Sequence, residues 1–282
     1  NPTTLTNGLV LDVAQAAMAC VPSELELHRS RTVVATVHSN DATVDCEEDD
    51  WTVFDGGYSR GRVLQAPRVS RYEEAVVHAL SLYLAEVTHA ELQADVVDDL
   101  LVLDGPIYPK GLLAWADRHP ELADLLAERK RPRDVVASYL GLVERFAERS
   151  VPLVGFVKNG GSKAITRAVR KTARAPWADD AAFFKRVLRR TDGDGEPLTD
   201  QLTFTNWFVS RCGVDGPLSA HGDALGLERS PTIEDDDAAF FCVYEPRHEL
   251  LFRVESPAVF TRAPHPRRAP PMQIRPSLPH HS

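Results

Sequence analysis

The stretch "LLVLDGPIYPKG", residues 100–111, decides how the rest of the chain is read. A run of large aliphatic residues has the form of a buried strand. It ends in an acid, Asp104, followed by a glycine and a proline. In α/β sheets, ligands bind beyond the carboxyl ends of the strands, so an acid at that point faces the binding crevice. A carboxylate there suits a divalent cation, which takes hard oxygen ligands. The plain alternative is an aspartate that starts a turn or caps the next helix, as Asp-Gly often does. The residues of this stretch alone leave both readings open.

Working outward, the preceding segment "SRYEEAVVHALSLYLAEVTHAELQ" (70–93) reads as a long helix with no Gly or Pro. Ser70 is placed to cap it, with Glu73 as the capping-box partner. At about 100° per residue, Ala75, Ala79, Leu82 and Glu86 share one arc, which Val76, Leu80, Tyr83 and Val87 extend. Glu86 thus lies at the edge of the apolar stripe, where a carboxylate is costly unless paired, metal-bound or able to reach water. Glu74, His78, Ser81 and Thr88 fall on the opposite arc, which reads as solvent-facing.

On the other side, residues 110–150 read as helical in two or three pieces, and "VPLVGFVKN" (151–159) as a second buried strand ending near Lys158. "GSKAITRAVRKTA" (161–173) reads as a basic helix opening on Gly161 and Ser162, with Lys163, Arg167, Arg170, Lys171 and Arg174 along it. Backbone N–H groups at such a start suit a phosphate oxygen, and the cations suit a nucleic-acid backbone. The plain alternative is a solvated basic face. No P-loop pattern is present. Asp179 and Asp180 precede a helix over 181–190, one of them a candidate N-cap and either a candidate metal ligand.

Before the long helix, residues 7–21 read as a strand, alone or running into a short helix, and 31–40 as a second strand of a meander; 41–62 read as an irregular excursion or hairpin. Residues 202–211 read as a strand and 239–257 as a hairpin turning at Pro246–Glu249. From Thr261 the chain is rich in Pro, Arg and His without periodicity, and a disordered tail is expected over 261–282. The order gives an α/β fold, a mixed sheet flanked by helices with a C-terminal antiparallel hairpin.

The 282 residues are 43% hydrophobic and 26% charged, with net charge −9. That is enough chain for one large domain, and its acidity excludes a global attraction to nucleic acid. Against that background the basic helix is a local contrast. Cys20, Cys46, Cys212 and Cys242 form no CxxC pair, which argues against a structural zinc site and for reduced thiols in a cytoplasmic protein. No run approaches 18 uninterrupted apolar residues, so no membrane span is expected. There is no GxSxG or HExxH group.

The stretches "NPTTLTNGLVLDVAQAA", "DDLLVLDGPIYPKGL", "VPLVGFVKN…SKAI", "WADDAAFF" and "LLFRVESPAVF" resemble, in order, the NurA family of nucleases over residues 1–260. The composition is closest to its haloarchaeal branch. The resemblance implies an RNase H-like fold whose central carboxylates bind Mn²⁺ or Mg²⁺. It implies a dimeric nuclease that processes DNA ends with 5′ to 3′ polarity, cuts single strands, and works in break repair with the hexameric ATPase HerA. By the same resemblance, Asp104, Glu86 and Asp180 are the metal-site acids and Lys158 the active-site lysine. Lys158, Ser162, Lys163, Arg167, Arg170 and Lys171 are then the DNA contacts. The family's first metal-binding Asp lies just upstream of the matched segment, and Asp12 is not equated with it. The family's C-terminal Tyr and His have no counterpart after Phe260. A weakened metal site and little or no cleavage by these 282 residues are therefore expected. The rival readings are a non-catalytic DNA-binding or assembly subunit and another RNase H-like nuclease, such as an Argonaute type.

Overall fold

The computed structural model describes residues 3–20, 26–27, 31–38, 52–56, 59–66, 71–109, 112, 131–171, 178–210 and 237–261. The expected tail after Thr261 and part of the 110–150 helical region lie outside these residues. In chain order the strands are β1 (Thr3–Thr4), β2 (Val10–Ala16), β3 (Ala19–Cys20), β4 (Glu26–Leu27), β5 (Arg31–His38), β6 (Thr52–Gly56) and β7 (Ser59–Ala66). Helix α1 (Arg71–Gln93) follows, then β8 (Leu101–Leu103), α2 (Arg131–Glu148) and β9 (Leu153–Lys158). The remainder is α3 (Ala164–Arg170), α4 (Asp180–Leu188), β10 (Thr203–Phe204), β11 (Phe208–Ser210), β12 (Ala238–Glu245) and β13 (Leu250–Pro257). No helix among the described residues is long and apolar enough to cross a membrane.

The fold is mixed α/β, and its strands divide between two principal sheets. The first has the order β1-β2-β5-β7-β6, with β3 and β4 paired separately. The excursion after β5 is an antiparallel hairpin, β6–β7, whose second strand pairs parallel with β5. The second sheet has the order β10-β12-β13-β9-β8, with β11 also on β12. Only β8 and β9 run parallel in it, and β12–β13 is the expected C-terminal hairpin.

Helix α1 lies between these layers. Its Leu80, Val87 and Ala90, with Ala94 just beyond it, pack with Leu101, Leu103 and Leu153 of the second sheet and with Val136, Tyr139, Val143 and Phe146 of α2. Its other face meets the first sheet through small residues, Ala85 against Ala14 and Val34. This corrects the reading of His78 and Ser81 as solvent-facing. Ser81 is buried, His78 Nδ1 lies 2.6 Å from the buried Asp12 carboxylate, and His89 Nδ1 lies 3.1 Å from Thr32 Oγ1. Leu82, expected inside, is exposed. A helix covered on two sides buries polar residues where the second neighbour supplies partners. Arg145 of α2 also binds Glu91 O of α1, and Arg149, just past α2, binds Ala94 O and Val97 O, just past α1.

On one face of the second sheet, Phe240, Cys242, Tyr244 and Leu251 pack against Ile165 of α3 and Phe184 of α4. Gly155 fixes how β8 leaves that sheet. It pairs with Leu103 on one side and Glu255 on the other. A Cβ there would lie 2.7 Å from the Gly105 carbonyl oxygen and 2.8 Å from the Ile107 nitrogen, both backbone atoms. Only glycine lets the Gly105–Ile107 segment fold back over β9 at that distance. Gly155→Ala is expected to lower stability by about 1–3 kcal/mol, as read by urea denaturation. An unchanged midpoint and slope would show that the segment yields freely.

Candidate metal centre

Asp104 follows the last residue of β8, and Lys158 is the last residue of β9. The Lys158 ammonium nitrogen lies 3.1 Å and 3.4 Å from the two Asp104 carboxylate oxygens. The parallel pairing of β8 with β9 brings these strand ends together. Asp104 is 76% exposed and Lys158 57%, so the pair adds little to stability. It presents an accessible carboxylate beside a fixed positive charge.

Glu86 comes to the same place from α1. Its carboxylate accepts the Tyr139 hydroxyl at 2.5 Å and the backbone N–H of Asp104. Its Oε2 lies where a Cβ on Gly105 would be only 3.3 Å away. Burial pushes the Glu86 carboxyl above its ordinary value, and the nearby Asp104 charge adds to this. The two hydrogen bonds act in the opposite direction. Tyr139 is itself buried, and burial together with the Glu86 charge holds its phenol well above the usual range, so it donates as a neutral hydroxyl. Tyr83, whose ring meets that of Tyr139 edge-on with centroids 6.2 Å apart, is raised by burial and by the charges of Glu86 and Glu255. The sequence reading singled out Glu86, Asp104 and Lys158, which the structure brings together. It assigned no role to Tyr83 or Tyr139, which look like core aromatics in the helical pattern.

Among the described residues no group of three or more His, Cys, Asp or Glu side chains is arranged to hold a metal. Asp104 and Glu86 are two carboxylates of the donor type that a hard divalent cation takes. Both are hard carboxylates, and Mg²⁺ characteristically uses one or two such ligands and completes its shell with water and substrate phosphate.

Asp180 opens α4 and reaches back to α3. It is buried, and its two carboxylate oxygens accept the backbone N–H groups of Thr166 at 2.8 Å and Ile165 at 3.3 Å. Its own N–H donates to Ser162 O. Asp180 therefore caps α3 from outside that helix, while Asp179 caps α4 by accepting from Ala182 N. Each oxygen of Asp180 thus accepts one backbone N–H of α3, and this internal carboxylate stands at the start of the basic helix. Lys163, Arg167, Arg170 and Lys171 remain exposed along α3, with Ser162 half-buried. Exposed Arg186, Arg189 and Arg190 at the end of α4 add basic residues that the sequence reading left out.

Two measurements separate these roles. Asp180→Ala is expected to cost about 1–3 kcal/mol through the two unsatisfied N–H groups and to leave Mn²⁺ affinity unchanged, whereas a ligand would lower it sharply. For Glu86, whose carboxyl is raised above 4.5 in the folded chain, the native state binds more protons than the unfolded state just above that value. Its contribution to stability is thus complete below 4.5 and is lost as pH rises through the raised value. Glu86→Gln keeps an acceptor for Tyr139. Melting curves in EDTA from about pH 4 to about pH 8 should show the variant losing less stability than the wild type, and parallel curves would contradict this.

The model of the NurA domain family matches residues 1–267. The crystal structure of the NurA nuclease from Sulfolobus solfataricus is similar at 8% identity and a TM-score of 0.35, over 88% of this chain and 66% of that one. The chain thus spans less than two thirds of that protein's length. No curated protein matches the chain. With all but its final residues matched by the family model, the chain belongs to the NurA domain family.

Proposed function

We propose that this protein is a metal-dependent deoxyribonuclease that processes DNA ends. The observation that carries the reading is the meeting of Asp104, Glu86 and Lys158 at the carboxyl end of β8. Membership of the NurA domain family supports it, and the name of the Sulfolobus protein gives the reaction class.

In this reading Asp104 offers an exposed carboxylate and Glu86 a half-buried one to Mn²⁺ or Mg²⁺. A bound divalent cation supplies charge neutralisation on the phosphate and a more acidic water. Tyr139 holds Glu86 in one orientation through its short hydrogen bond, as outer partners of metal ligands do. Lys158 puts a positive charge beside the scissile phosphate, where negative charge develops in the transition state. The exposed cations of α3 contact the sugar-phosphate backbone and set its position without reading sequence. The 5′ to 3′ polarity, the single-strand endonuclease activity, the homodimer and the HerA-type ATPase partner in break repair belong to the same proposal.

End-labelled DNA with Mn²⁺, Mg²⁺ or EDTA tests it. The assay uses the 282-residue chain and a version extended at its N terminus by an Asp-Gly strand. Metal-dependent shortening is expected from the extended version, lost in EDTA and in Asp104→Ala. No shortening from either version, or cleavage that survives Asp104→Ala, would overturn the proposal; DNA binding alone would favour a non-catalytic subunit.

A further inference from the structure

Asp104 leaves β8 through a segment held from both sides by carboxylates. On the α1 side, Glu86 accepts the Asp104 N–H. On the sheet side, Glu255 Oε2 accepts the Ile107 N–H at 3.2 Å. Pro106, between them, has no N–H to offer. Ile107 and Tyr108 are almost completely buried, so the segment is anchored immediately after its turn. Gly155, the β9 partner of Glu255, provides the close approach that this arrangement needs.

Glu255 is only 4% exposed. Its second oxygen lies 2.5 Å from Arg253 Nη2, and the Arg253 guanidinium lies over the Phe240 ring at 5.6 Å. A buried ion pair of this kind seldom stabilises a fold better than apolar residues of equal volume. Its position is informative: one oxygen is neutralised by Arg253, and the other holds a backbone amide three residues beyond Asp104.

We propose that Glu255 is a positioning residue of the Asp104 site, clamping the Ile107 amide so that the Asp104 carboxylate is presented beside Glu86 and Lys158. The inference rests on the reading of Asp104 and Glu86 as the metal-binding pair. Glu255 acts through the backbone rather than by touching metal or substrate. Arg253 sets the orientation of the Glu255 carboxylate. The effect is therefore on the geometry of the donor set, and the affinity for added Mn²⁺ would report it first.

The test is Mn²⁺ binding followed by electron paramagnetic resonance, with amide hydrogen exchange at Ile107 measured in the metal-free protein. Glu255→Gln places an amide NH₂ against the Arg253 guanidinium and loosens the clamp. It is expected to raise half-saturating Mn²⁺ by about tenfold and to accelerate Ile107 exchange, with the circular dichroism spectrum retained. Gly155→Ala pushes the same segment from the β9 side and is expected to move Mn²⁺ affinity in the same direction, which keeps the test open if Glu255→Gln does not fold. Val254→Ala, on the same strand, is the control: it lowers stability and leaves Mn²⁺ affinity within about twofold. Wild-type Mn²⁺ affinity in whichever of Glu255→Gln and Gly155→Ala folds, or an equal shift in the control, overturns the inference while the site reading stands. Unchanged Mn²⁺ affinity in Asp104→Ala overturns the site reading, and the positioning role with it.

Discussion

Four residues of backbone, Asp104 to Ile107, are gripped between three elements, and the candidate site depends on that grip. Helix α1 takes the first amide through Glu86, β13 takes the last through Glu255, and β9 approaches so closely at Gly155 that no side chain fits. A buried amide without an acceptor is costly, so each carboxylate satisfies a need of the chain as well as setting a direction. The result is a short strand whose last apolar residue, Leu103, is fully inside and whose next residue, Asp104, is mostly in water. An abrupt change of environment across one peptide bond lets an aspartate be both rigidly held and accessible.

Helix α1 transmits this constraint to the rest of the molecule. One of its faces is apolar and joins α2 and the second sheet; another is built from alanines, serine and histidines and rests on the first sheet. Glu86 sits between those faces. Its partner Tyr139 comes from α2, so the orientation of the carboxylate depends on helix packing more than on local sequence. The same economy governs Asp180, which ties the basic helix α3 to α4. An acid spent on holding a cationic helix keeps the basic surface in place without occupying it.

Much of this was legible. The strands at β8 and β9 are apolar runs bounded by turn residues, α1 is a long stretch of good helix formers, and the β12–β13 hairpin turns at the expected residues. The helical arc was enough to single out Glu86. What escaped was set by partners far away in the chain. His78 and Ser81 looked exposed because the first sheet that covers them has no signature within α1. Of two adjacent acids before α4, pattern alone could not tell which caps its own helix and which reaches back to another. Tyr139 meets Glu86 across 53 residues, and Ile107 meets Glu255 across 148. No periodicity within a helix or strand records such a contact.

The central claim is that Asp104 and Glu86 form one metal-binding pair. Anomalous diffraction from a crystal soaked in Mn²⁺ tests it most directly. The account predicts a peak bonded to carboxylate oxygens of both residues, at roughly 2.0–2.3 Å as hard-cation ligands require, and its loss in Asp104→Ala. A Mn²⁺ peak held by other residues, with Asp104 still paired only to Lys158, would contradict it.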